Sequence, residues 1–188
     1  MREQQERLKT ALSEPIITFV GSDKTMANKA FAQAEEYLAG GRYYDAVNAY
    51  DVARTADPDN PLIWIGRGHA LIGAGDYLSA AASLEEGFRR FPQAARFKID
   101  LRAFLKHGDI LDIRRADLEQ RLEEEDNFRL RFLLGYIEYY SGLARFGLPN
   151  LERAAKAAPT TSIFSKFPSL LRQSPTTTNP ETTTNPKG

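Results

Sequence analysis

The residue types that could build a reactive centre are few in this chain. There are two histidines, His69 and His107, no cysteine, and one tight acidic run, Glu123-Glu124-Glu125-Asp126. Metal binding or acid–base work would need such groups clustered at short, defined spacing. Neither histidine has a second ligand at that spacing, and a lone histidine on a helix reads as a surface or groove residue. The acidic run reads as a solvated connection just before a helix N-terminus, where negative charge is favourable. Gly66-Arg67-Gly68 falls inside an expected helix, so its glycines serve packing and not a phosphate-binding loop. The absence of cysteine excludes a thiol nucleophile, a disulfide and a cysteine-ligated zinc site. The expectation is a chain that is not an enzyme and uses no metal and no cofactor.

Binding is then the chemistry to consider, and it depends on the elements that would position the side chains. Pro58 and Pro92 are 34 residues apart, and Gly41 and Gly75, Tyr43 and Tyr77, and Ala46 and Ala80 keep that spacing. A fixed period of this length marks stacked helical hairpins, an architecture built mostly to hold other molecules. In the first unit Ala30, Phe31, Ala34, Tyr37 and Leu38 form one apolar helical stripe, ended by Gly40 and Gly41. Ala46, Val47, Ala49, Tyr50 and Ala53 form the next. The second unit repeats the frame with Trp64, Gly68, Leu71, Tyr77, Ala80, Leu84, Gly87 and Pro92. Gly68 and Ala80 are expected where its two helices cross, because small side chains allow close approach.

The third unit, residues 95–127, is degenerate. Lys98, Arg102 and Arg114 stand where the pattern wants aromatic or small residues. A helical period survives in Phe97, Leu101, Phe104 and Leu105, then in Ile110, Ile113, Leu118 and Leu122, so a hairpin with altered packing is expected, turning at Gly108-Asp109. The fourth unit, residues 128–159, matches through Gly135, Gly142, Leu151, Ala154 and Pro159 if the third is one residue short. Pro149 predicts that its second helix starts near Leu148 or kinks there.

These residues resemble the tetratricopeptide repeat family. The family's alternation of large, small and aromatic positions is met in unit one by Ala34, Tyr37, Ala46, Tyr50, Ala53 and Pro58. Unit two meets it with Trp64, Gly68, Leu71, Ala80, Leu84, Gly87 and Pro92. The resemblance implies an all-α solenoid of about four antiparallel hairpins (27–60, 61–94, 95–127 and 128–159) in a right-handed superhelix. It also implies a concave groove lined by the first helix of each unit. The groove positions are Asn28, Phe31, Glu35 and Leu38 in unit one, and Leu62, Ile65, His69 and Ile72 in unit two. In units three and four they are Arg96, Ile99, Ala103 and Lys106, then Arg129, Phe132, Tyr136 and Tyr139. Burial of a partner's apolar segment on Ile65, Ile72, Ile99, Phe132, Tyr136 and Tyr139 follows, with Phe31 and His69 beside them, and with Arg96, Lys106 and Arg129 selecting acidic flanks. The clamp by which some family members hold a terminal carboxylate is not expected, since its positions carry Asn28, Ala32, Gly66, Arg96 and Asp100, and only Arg96 has a suitable charge.

Composition bounds the partner. Lys and Arg number 25 and so do Asp and Glu, giving zero formal net charge; this argues against general nucleic-acid binding. No run approaches the roughly 20 apolar residues of a membrane span, and residues 1–10 lack the apolar core of a signal peptide. A protein that binds a protein or peptide is expected, cytoplasmic or, since a chain without cysteine suits it equally, periplasmic or part of a longer exported protein. Two alternatives stay open: a chaperone for one secreted client, and a subunit that forms a homodimer through the apolar residues 15–20. That run either caps the first unit or lies in a groove, its own or a neighbour's, as an internal ligand. Residues 1–26 are read as a polar helix followed by this apolar segment. Residues 160–172 are read as a C-terminal cap, and the Thr/Pro-rich 173–188 as a disordered tail.

Overall fold

The computed structural model describes residues 14–172, so the expectations for a helix within 2–13 and for the tail at 173–188 lie outside the described residues. Helices dominate: α1 (Met26–Ala39), α2 (Tyr43–Ala56), α3 (Pro61–Ala74), α4 (Tyr77–Arg90), α5 (Leu101–Phe104), α6 (Ile110–Glu124), α7 (Phe128–Tyr140), α8 (Ala144–Ala157) and α9 (Phe167–Arg172). Two 3-10 turns, Pro92–Arg96 and Ile163–Lys166, complete the path. Consecutive helices pack as adjacent pairs, giving an all-α, solenoid-like repeat. No described helix is long and apolar enough to cross a membrane.

Local chemistry sets the boundaries. Thr25 caps α1 by accepting from Asn28 N at 3.2 Å, and Asn60 caps α3 by accepting from Leu62 N at 3.0 Å, with Pro61 at the first helical position. Asp76 and Asn127 cap α4 and α7 in the same way. The chain takes the left-handed conformation at Gly41, Gly75, Gly108 and Gly142, where a side chain would be strained. These glycines follow one another at 34, 33 and 34 residues. The period therefore survives as a series of turns, one residue short in the third unit.

Within the hairpins, small residues sit where helices meet. A Cβ at Gly68 would lie 2.7 Å from Leu84. At Gly135 and Gly147 backbone meets backbone: a Cβ on Gly147 would stand 2.6 Å from both Gly135 O and Tyr139 N. α7 and α8 thus approach more closely than any side chain permits.

Two expectations are corrected. In the third unit the first helix of a hairpin does not form. Residues 97–100 are not helical, with Ile99 N bonded to Phe97 O at 2.9 Å, and Asp100 caps the single turn α5 by accepting from Arg102 N and Ala103 N. With that helix missing, α7 packs on α4 as well as on α6 and α8, and Tyr136 meets Phe88 at 6.0 Å. Second, α8 does not start near Leu148: it begins at Ala144 and carries Pro149 inside it. Pro149 and Arg145 both lie on the exposed side of α8. An N–H at 149 would have bonded the Arg145 carbonyl, and the exposure of both residues keeps the cost of that missing bond low.

The C-terminal cap reaches further than the last unit. Phe164 stacks on Phe132 at 3.7 Å, while Phe167 contacts both Phe88 and Phe132 at 4.9 Å. Ser162 donates to Glu85 of α4. The cap ties the fourth unit to the second across the gap left by the third.

Candidate peptide-binding surface

Residues 14–21 form an arm ahead of α1, and the arm lies across the face that the family resemblance assigns to the groove. Ile16 N donates to Lys98 O at 2.8 Å and Asp100 N donates to Ile16 O at 2.9 Å, a parallel β-bridge to the non-helical residues of the third unit. Phe19, 8 % exposed, is the anchor. Its ring centroid is 4.6 Å from that of Phe104 and 5.7 Å from that of His69, on which it stacks. Glu35 of α1 receives Phe19 N on one oxygen and the Thr18 hydroxyl on the other, both at 2.6 Å. Asn28 closes the arm's end by accepting from Gly21 N at 2.6 Å and donating to Gly21 O and Asp23 O at 2.8 and 2.7 Å. The chain's own apolar run therefore lies across α1, His69, Phe104 and residues 98–100.

The electrostatics follow from this coverage. Burial under the arm pushes the Glu35 carboxyl above its ordinary range, opposed by the donors Thr18 and Phe19 N and by the nearby Lys106 ammonium. His69 is fully enclosed, its Nε2 is 2.8 Å from the Tyr136 hydroxyl, and its Nδ1 has no protein partner. Burial lowers its pKa to about 3, so the ring is neutral at ordinary pH. The Tyr136 phenol is raised by the same cause.

The expected open apolar groove is not exposed. Ile65, Ile72, Phe132 and Tyr136 are each 0 % exposed, and Phe31 and Ile99 are nearly so. The physical reasons differ by position. Phe31 packs edge-on against Tyr50 of α2 at 5.7 Å, and Ile65 packs on Gly87 of α4, so both face the second helix of their own hairpin. His69 and Ile99 are covered by the arm, Phe132 by the C-terminal cap, and Tyr136 by His69 and Phe88. Arg129 is half-buried beside Phe128 at the start of α7, with its guanidinium 4.6 Å from that ring centroid.

Four of the sequence-derived residues instead border two clefts at the third unit. A cleft of about 420 Å³ is lined by Arg96, Phe97, Lys98, Ile99, Arg102 and Tyr139, with Pro15 of the arm at its edge. Lys106 joins Arg102 in a neighbouring cleft of about 200 Å³ beside Gly108 and Ser141. The cleft combines guanidinium and ammonium groups with aromatic walls. The Asp100 carboxylate is already engaged in capping α5, and the exposed Arg102 guanidinium has no ion-pair partner among the described residues. Lys98 and Arg102 were visible in the sequence as departures from the repeat pattern. Phe19 and Pro15 were visible only as an apolar run. Arg114, the third basic departure, is structural: it donates to Gly73 O at 3.1 and 2.8 Å and so satisfies the C-terminal end of α3. Among the described residues no group of three or more His, Asp or Glu side chains is placed to hold a metal ion.

No protein-family model matches the chain.

Proposed function

We propose that this chain is a tetratricopeptide-like, non-catalytic scaffold that binds a segment of a partner protein. The cleft at the third unit is its open contact surface. The observation that carries this reading is the exposed Arg102 guanidinium, without an ion-pair partner among the described residues, in a cleft walled by Phe97 and Tyr139 where the regular repeat has broken down. A guanidinium beside aromatic walls favours a segment that offers a carboxylate next to apolar or aromatic side chains. The regular hairpins contribute a rigid frame. The degenerate unit contributes side chains that a regular first helix would not place together.

The test uses the full-length chain carrying Arg102→Glu and Tyr139→Ala together. Tagged wild-type protein should capture a partner from the source cell's extract, and moderate salt should weaken that capture because it screens the charges. The double variant should lose the partner while keeping its helical circular dichroism. A folded double variant that captures the same partner equally well would refute the assignment of the cleft.

A further inference from the structure

We infer that the face beneath residues 14–21 is itself a binding surface for an extended segment of a partner protein. That segment carries an aliphatic residue and, three positions later, an aromatic one, and the arm is the chain's own occupant, which the partner displaces. The inference rests on the scaffold reading for its purpose; the face adjoins the cleft, with which it shares residues 98–100, and extends from there over His69, Phe104 and Glu35.

The arm is held as a bound peptide is held. Both backbone groups of Ile16 pair with the main chain of residues 98 and 100, a mode that asks little of side-chain identity. A single side chain, Phe19, is deeply buried. Ile17 is 54 % exposed, and Pro15 and Thr18 are exposed too. Specificity therefore rests on Ile16 and Phe19, three residues apart.

The arm is also separable from the fold. Residues 22–25, which join it to α1, are all exposed, and the junction is held by the Asn28 side chain and the Thr25 cap and not by a packed core. The face beneath does not need the arm to satisfy its polar groups. Glu35, Lys98 O and Asp100 N would meet water once uncovered, and His69 keeps its bond to Tyr136. Covering Glu35 has a cost, since burial is the main influence on its carboxyl. The tether supplies the arm at an effective concentration in the millimolar range, as short linkers do, so a free segment of equal intrinsic affinity is masked until the arm is weakened.

The probe is a fluorescent peptide of this chain's residues 14–21, titrated by anisotropy against full-length wild-type protein and full-length Phe19→Ala. The Phe19→Ala chain should bind the probe at least tenfold more tightly than wild type does, and should be cut faster by protease at residues 22–25. A probe that itself carries Phe19→Ala should bind at least tenfold more weakly. Equal binding of the probe to both chains would overturn the inference. So would a Phe19→Ala chain whose arm stays protected and which rejects the probe, because the arm would then be a fixed part of the core. A wild-type dimer in light scattering that becomes monomeric on Phe19→Ala would assign the surface to a second copy's arm and overturn it too. If Phe19→Ala loses helical content, Asn28→Ala, which opens the clip without touching the core, is read by the same criteria. None of these outcomes involves Arg102 or Tyr139, so failure here and failure of the cleft reading are distinguishable.

Discussion

Acidification should destabilise this fold through His69, and the size of the effect can be worked from its surroundings. The ring is enclosed by Phe19, Phe104 and Tyr136, with centroid distances of 5.7, 5.1 and 5.9 Å. Among the described residues its hydrogen-bond partner is one hydroxyl and its ring neighbours are aromatic, neither of which stabilises a cation enough to replace lost water. The pKa falls from an ordinary 6.5 to about 3. In the unfolded chain the proton binds near pH 6.5, and in the native chain it does not bind until near pH 3. Stability from this group is therefore complete above pH 6.5 and declines as the pH falls toward 3, by about 1.4 kcal/mol per pH unit. Between pH 6.5 and pH 5 the loss is about 2 kcal/mol. Glu35 opposes it: its raised carboxyl adds native stability as the pH falls through its folded pKa, and that contribution is lost as the pH rises again. Urea denaturation at pH 7 and pH 5, for wild type and for His69→Gln, isolates the histidine. The variant should lose about 2 kcal/mol less than wild type over that interval. Nuclear magnetic resonance gives the direct reading, since the His69 ring protons should not titrate above pH 4.5. A midpoint above pH 5.5, or equal acid sensitivity of the two proteins, would refute the argument from burial.

The remaining predictions concern packing and termini. Gly147→Ala should cost about 2–3 kcal/mol in denaturant melts, because its Cβ would meet backbone atoms of α7 at 2.6 Å and backbone cannot rotate away. Gly40→Ala is the contrast: its Cβ would meet nothing nearer than 3.6 Å and its φ is −88°, so it should be neutral or stabilise by up to about 1 kcal/mol. Arg114→Ala should cost about 2 kcal/mol by removing two charge-assisted bonds to Gly73 O, with amide exchange rising first at the C-terminal end of α3. Asn28→Ala should leave the thermal melt of the hairpins almost unchanged yet speed proteolysis at residues 22–25, because only the arm's clip is lost.

Much of the scaffold was legible in the chain because its information is local. Helical stripes, caps and turn glycines act over a few residues, so α1 to α4 and α7 follow from spacing alone, and the one-residue slip before Gly142 was readable as a shift of register. The same locality explains the errors. Phe97, Leu101, Phe104 and Leu105 have a helical period, yet Asp100 caps a shorter helix and the preceding residues pair with Ile16, more than 80 positions away. A start near Leu148 follows from the general rule for proline, yet α8 begins earlier, at Ala144, a boundary that tertiary packing sets. The groove positions were placed by resemblance, and tertiary structure decided what lies on them. Both ends of the described residues turn inward, the arm onto His69 and Phe104 and the C-terminal cap onto Phe88 and Phe132. Sequence determined the period, the hairpins and the residues able to line a binding face. Tertiary structure decided which of those residues remain open, because filling an apolar face depends on segments distant in sequence and is not recorded in the spacing of the face itself.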